Sequence, residues 1–282
     1  MKALTPLPPL PPYLDRYVSI RDKKHSATRV PLVAAHALVT QRYQDHAQAL
    51  ALNNLSGLAQ SPAAVLLSVP LRACYGSATQ PLKDLKAAIF GGQPKRQLKY
   101  CPMCGTTLPK TYDHYLPAVL FPEYAVHPLN LVPCCGLCNS IKDDDWLCAA
   151  GERQYLHAYS DALPDAQFVH VQLHQHAALQ GVGATFSLQR PAGIPAAQWR
   201  LIDSHFRRLK LIARYDDLGN DEIAEMLSDG KAYLDAGGTD ARAFLLARAA
   251  DRKTVYGRNN WTAVLMAGLA AHPDLDAWIA AA

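Results

Sequence analysis

Cys101-x-x-Cys104 and Cys135-x-x-Cys138 share one spacing and stand 31 residues apart. Each pair can place two thiolates on one tetrahedral ion, and two pairs complete a closed four-cysteine site of the structural zinc type. Cys134 competes with Cys135, but only Cys135 repeats the first spacing, so Cys134 is read as a small buried residue, as are Cys74 and Cys148. Seven cysteines is an odd number and the first residues carry no apolar leader, which makes disulfides the weaker reading. Around the cysteines lie Asp113, His114, Asn130 and Asn139. Imidazole is the side chain whose ordinary pKa suits a general base at neutral pH. A carboxylate and an amide oxygen suit a hard ion such as Mg²⁺ or Mn²⁺ better than zinc already surrounded by sulfur. Two metals at two sites, structural zinc and a catalytic divalent ion, is therefore the consistent expectation.

The strings "CPMC", "DHYLP" and "NLVPCCGLCN", followed by Lys142, resemble the HNH endonuclease family. The resemblance runs from Cys101 to Lys142 and implies a β-hairpin followed by a helix around a divalent metal. It implies that Asp113 and Asn139 are ligands of the catalytic ion and that His114 is the general base for water attack on phosphorus. Asn130 is implied as the structural asparagine that holds the histidine in place, and Pro117 as the residue that sets the turn after the first strand. The implied products are a 5′-phosphate and a 3′-hydroxyl. The long flanks contain no recognisable base-reading module, which suits a bacterial anti-phage or toxin-like effector. For such effectors the resemblance implies a partner ATPase or sensor protein, and this chain has no GxGxxG or GxxxxGK loop of its own. The alternative is a non-catalytic zinc-stapled module that binds nucleic acid or a protein partner; a nuclease fold that has lost activity is a further rival.

Charge points the same way. Residues 1–100 hold 13 Lys/Arg against 4 Asp/Glu, residues 101–150 hold 2 against 5, and the whole chain is +4. A basic first third suits a polyanion partner such as nucleic acid; the expected partner is DNA in preference to RNA. Lys95, Arg96 and Lys99 in "PKRQLK" and Lys142 are the candidate contacts. "HFRRLK" at 205–210 is a second basic patch, and "DDD" at 143–145 reads as a solvated helix end.

These residues need elements to position them. "PLPPLPP" favours an extended polyproline II arm. The apolar spacing in residues 30–55 reads as one or two helices, residues 61–76 as a helical or buried segment, and residues 80–92 as a short helix with Leu82, Leu85, Ala88 and Ile89 on one face. "AQFVHVQLHQH" and "VGATFSLQ" alternate, as an antiparallel strand pair does, with a glycine-containing connection between them. From Pro195 onward the period is helical. The expected fold class is α+β: a mainly helical chain with a central zinc-stapled ββα module and a small strand pair after it. The expected divisions are 1–95, basic and mainly helical; 96–150, the nuclease module; and 151–282, α+β then helical. No apolar run reaches a membrane span, so a cytoplasmic location without a membrane partner is expected.

Overall fold

The computed structural model describes residues 2–176 and 181–282. It is α+β, and the described residues form two compact units, one of residues 3–162 and one of residues from 163 onward together with Lys2.

The unit of residues 3–162 begins with an extended arm. Leu4 and Leu7 are buried, and the Leu4 amide donates to the Ala158 carbonyl at 2.7 Å, so the proline-rich stretch lies on its own unit. Six helices follow: α1 (Tyr13–Asp22), α2 (Ser26–Ala34), α3 (His36–Ala51), α4 (Pro62–Leu66), α5 (Ser68–Gly76) and α6 (Gln80–Gly91). The one or two helices expected between residues 30 and 55 are two, α2 and α3, divided at Ala35. Ser61 caps α4 by accepting from the Ala64 amide, and α6 buries Leu82, Leu85 and Ile89. Strands β1 (Thr111–His114) and β2 (Leu131–Cys134) then pair antiparallel, with Asp113 opposite Val132 and His114 opposite Leu131. Helix α7 (Gly136–Lys142) follows directly. Cys148 lies beyond this helix in a turn closed by a bridge between Leu147 and Arg153, and it is half-buried rather than core.

The unit of residues 163–282 is built on strands β3 (Val169–His176) and β4 (Gly181–Leu188). Their register sets Val169 opposite Leu188, Val171 opposite Phe186 and Leu173 opposite Ala184, so the alternating apolar residues share one face. The connection expected between them, residues 177–180, lies outside the described residues. Helices α8 (Ala196–Arg208), α9 (Leu211–Asp235), α10 (Ala241–Tyr256), α11 (Trp261–Ala271) and α12 (Leu275–Ala281) complete the unit. Tyr215 and Trp261 stack in its core with ring centroids 5.5 Å apart, and Phe186 meets both rings edge-on. Among the described residues no helix is long and apolar enough to cross a membrane.

Three histidines are buried in the unit of residues 3–162: His46, His127 and His157. The rings of His46 and His127 lie 4.1 Å apart, and neither nitrogen of His46 has a hydrogen-bond partner among the described residues. Burial pushes His127 down to about 3 and His157 down to about 4, and holds His46 well below the ordinary value. A histidine with a depressed folded pKa takes up its proton in the unfolded chain first, from about pH 6.5 downward. Its contribution to stability is whole above that pH and falls as the pH drops toward the folded value. At pH 5 the loss is about 2 kcal/mol for each of His127 and His157, from about 1.4 kcal/mol per pH unit. Asp113 and Glu123, whose carboxyls burial holds above their usual range, offset part of it. Urea unfolding at pH 7.5 and pH 5.0 is expected to show the lower stability at pH 5.0.

Candidate functional site

The first knuckle is a tight turn. The Cys104 and Gly105 amides both donate to the Cys101 carbonyl, at 3.3 and 2.8 Å, and Gly105 takes a positive φ of 70°, where a side chain would strain the backbone. The second knuckle is the start of α7: Cys135 is its N-cap, and its sulfur accepts from the Cys138 amide at 3.4 Å. The Cys135 amide in turn donates to the Cys101 sulfur at 3.3 Å, which joins the two knuckles. The sulfurs of Cys101, Cys104, Cys135 and Cys138 all lie within 4.8 Å of one another and are buried. Cys104 and Cys135 are 3.9 Å apart, close to the ~3.8 Å edge of a tetrahedron with metal–sulfur bonds of about 2.3 Å. These four residues can hold a metal ion. Cys134 is outside the cluster: its sulfur lies 3.3 Å from the Thr111 hydroxyl, and burial pushes its thiol up to about 12.

β1 and α7 present their side chains to a cavity of about 800 Å³, lined by Asp113, His114, Asn139 and Asp143 among others. His114 Nε2 lies 2.9 Å from the Ala125 carbonyl. A carbonyl only accepts, so Nε2 carries the proton, and the neutral ring keeps its lone pair on Nδ1. Burial first, and then the nearby cations Lys142, Lys86 and Arg72, push the imidazole down to about 4, so it is neutral at pH 7.

Asn130 is fully buried and does not line the cavity. Its amide nitrogen donates to the carbonyls of Leu116 and Tyr124, both at 3.1 Å, and its oxygen accepts from the Leu116 amide at 2.7 Å. It thereby spans the loop between β1 and β2 and fixes the backbone next to Ala125, the acceptor of His114. Tyr124 is held from α3, where its hydroxyl donates to the Arg42 carbonyl at 2.8 Å. The Arg42 guanidinium donates to Glu123 at 2.7 Å, to the Ala59 carbonyl at 2.7 Å and to Asp45 at 3.0 Å.

Lys142 is not a surface contact for phosphate, and that expectation is corrected here. It is completely buried, with its ammonium 3.1 Å from Asp113 Oδ1 and 2.9 Å from the His114 carbonyl. The last turn of α7 points inward, so its lysine serves β1 instead of solvent. Burial pushes the Asp113 carboxyl up, and the ammonium beside it opposes that shift. Lys95, Arg96 and Lys99 are exposed on the connection from α6 to the first knuckle, and none of them lines the cavity.

α5 also lines the cavity, through Val69, Arg72, Ala73, Tyr75 and Gly76. Sequence reasoning missed Arg72 and Tyr75, because "SVPLRACYG" was read for its apolar spacing; an arginine inside that run was the available signal. The Tyr75 ring meets His114 edge-on, with centroids 4.5 Å apart, and the ammonium of Lys86 of α6 sits 4.0 Å over the Tyr75 ring.

No family model matches the chain, and no solved structure matches it. The chain is similar to Protein ea31 of Escherichia phage lambda, 28% identical over 141 residues, which is 48% of this chain and 45% of that protein. The match thus spans less than half of that relative's length.

Two outcomes follow from this geometry. Cys101→Ser or Cys138→Ser is expected to abolish bound metal while Cys134→Ser keeps it, as elemental analysis per chain will read. Lys142→Ala leaves the Asp113 carboxylate buried without its partner and is expected to cost about 3–5 kcal/mol in chemical denaturation. Asp113→Asn in the same chain is expected to restore part of that loss.

Proposed function

We propose that the chain is a metal-dependent HNH endonuclease that hydrolyses nucleic-acid phosphodiester bonds, with zinc on the four cysteines and Mg²⁺ or Mn²⁺ at a second site. The observation that carries this reading is a cavity lined by Asp113, His114 and Asn139, in which His114 Nε2 faces the Ala125 carbonyl at 2.9 Å and leaves Nδ1 as the acceptor. A binding module needs no such arrangement.

The donor set fits the second ion. Asp113 gives one carboxylate oxygen to Lys142, and a carboxylate with two oxygens and about four lone-pair sites retains acceptor capacity. Asn139 adds an amide oxygen, and a hard ion held by one or two protein oxygens otherwise keeps its waters. When bound, such an ion offsets negative charge on the phosphate and on the leaving 3′ oxygen.

The chain's residues do the rest. His114 Nδ1 accepts the proton of the attacking water, and the bond from Nε2–H to Ala125 keeps that tautomer throughout. Asn130 and Tyr124 fix the Ala125 carbonyl, and therefore the plane of the ring. Lys142 ties Asp113 to α7 and so keeps it in register with Asn139. The role as a defence or toxin-like effector, acting with a partner ATPase or sensor, rests on the resemblance between Cys101 and Lys142.

The test incubates purified protein with plasmid DNA, linear DNA and RNA in Mg²⁺ or Mn²⁺, alongside His114→Ala. His114→Ala is expected to lower the cleavage rate by about 10²–10⁴-fold, the usual contribution of a general base. Cleavage that survives the substitution would remove the mechanism. Binding without cleavage by the wild type would favour a non-catalytic module.

A further inference from the structure

The cavity is built from two parts of the chain that are remote in sequence. One wall is the segment that carries the metal-type residues; the other is α5, from residues 68–76. Val69, Arg72, Ala73 and Gly76 follow the i, i+3, i+4, i+7 spacing of one helix face and all line the cavity. Tyr75 lies against the His114 ring and the Lys86 ammonium sits 4.0 Å from the Tyr75 ring centre, so α5 is in direct contact with the imidazole. Arg72 is one turn away from that contact.

The charge on the two walls differs. Asp113, Asp143 and Asp144 line the β1–α7 side, and Arg72 is the only Lys or Arg among the described lining residues. It is exposed and has no hydrogen bond or ion pair within the described chain. Lys142, the other cation of the site, is consumed by Asp113 and the His114 carbonyl. A phosphodiester entering this cavity therefore meets one free guanidinium, with planar donors that match two phosphate oxygens.

We propose that α5 is the substrate-holding wall of the site, and that Arg72 grips a non-bridging oxygen of the nucleic-acid backbone beside the scissile bond. The proposal rests on the nuclease reading for its consequence in catalysis and on the geometry of α5 for the contact itself. A backbone grip implies recognition of phosphate regardless of base, so single-stranded DNA, duplex DNA and RNA of one sequence serve as separate arms.

Binding is measured by fluorescence anisotropy of labelled oligonucleotides in a His114→Ala background, over a range of salt concentrations. Adding Arg72→Ala is expected to weaken binding about tenfold and to reduce the slope of log K against log salt by about 1, the signature of one lost phosphate contact. Arg72→Lys is expected to keep the slope. In the chain with His114 intact, Arg72→Ala is expected to lower kcat/KM about 10–100-fold with Tm unchanged, since the side chain is exposed. An unchanged salt slope together with unchanged cleavage overturns the proposal. Absence of cleavage by the chain with His114 intact overturns the nuclease reading instead, and the anisotropy slope still decides whether Arg72 holds phosphate.

Discussion

Four sulfurs within 4.8 Å of one another constrain everything else in the site. Thiolates at that distance repel unless a cation lies between them, and a hairpin of two four-residue strands with a seven-residue helix has little apolar surface to hold itself together. A metal ion held by Cys101, Cys104, Cys135 and Cys138 would close the segment at both ends. It would also anchor α7 by its first turn, because Cys135 is both a cluster sulfur and the N-cap. Asn139 follows Cys138 directly, so the same closure sets where the asparagine stands relative to β1.

The other end of α7 is held by charge. Lys142 reaches Asp113 and the His114 carbonyl from a position with no contact with water, and that burial is costly for both ions unless they stay paired. The helix is thus fixed to the cysteine cluster at its start and to β1 at its end. The loop between the strands is fixed independently, by Asn130 from within and by Tyr124 and Arg42 from α3. His114 stands where the two restraints meet: its backbone is held by Lys142 and its ring by Ala125 and Tyr75.

How much of this was legible in the residues follows from what each interaction depends on. Cys101, Cys104, Cys135 and Cys138 were readable because metal ligation by a knuckle is local and its spacing is short. The strand pair at 169–188 was readable because alternation has a period of two, and the register then sets apolar residues opposite one another. Cys148 was misplaced because α7 ends at Lys142, with Asp143 at a φ of 43°, so the chain turns away before reaching it. Lys142 was read as surface because a lysine at a helix end usually is, and nothing local announces an inward turn toward a carboxylate 29 residues earlier.

By itself the sequence determined the α+β class, the four-sulfur ligand set and the candidacy of Asp113, His114 and Asn139. Those depend on residue type and short spacing alone. Only the tertiary structure decided which cations remain available in the cavity, because that depends on which charges find partners across long separations. It withdrew Lys142 into an ion pair and placed Arg72 of α5 in the same cavity as His114. Residue type and spacing cannot report that exchange, because the partner of a charge is chosen by packing.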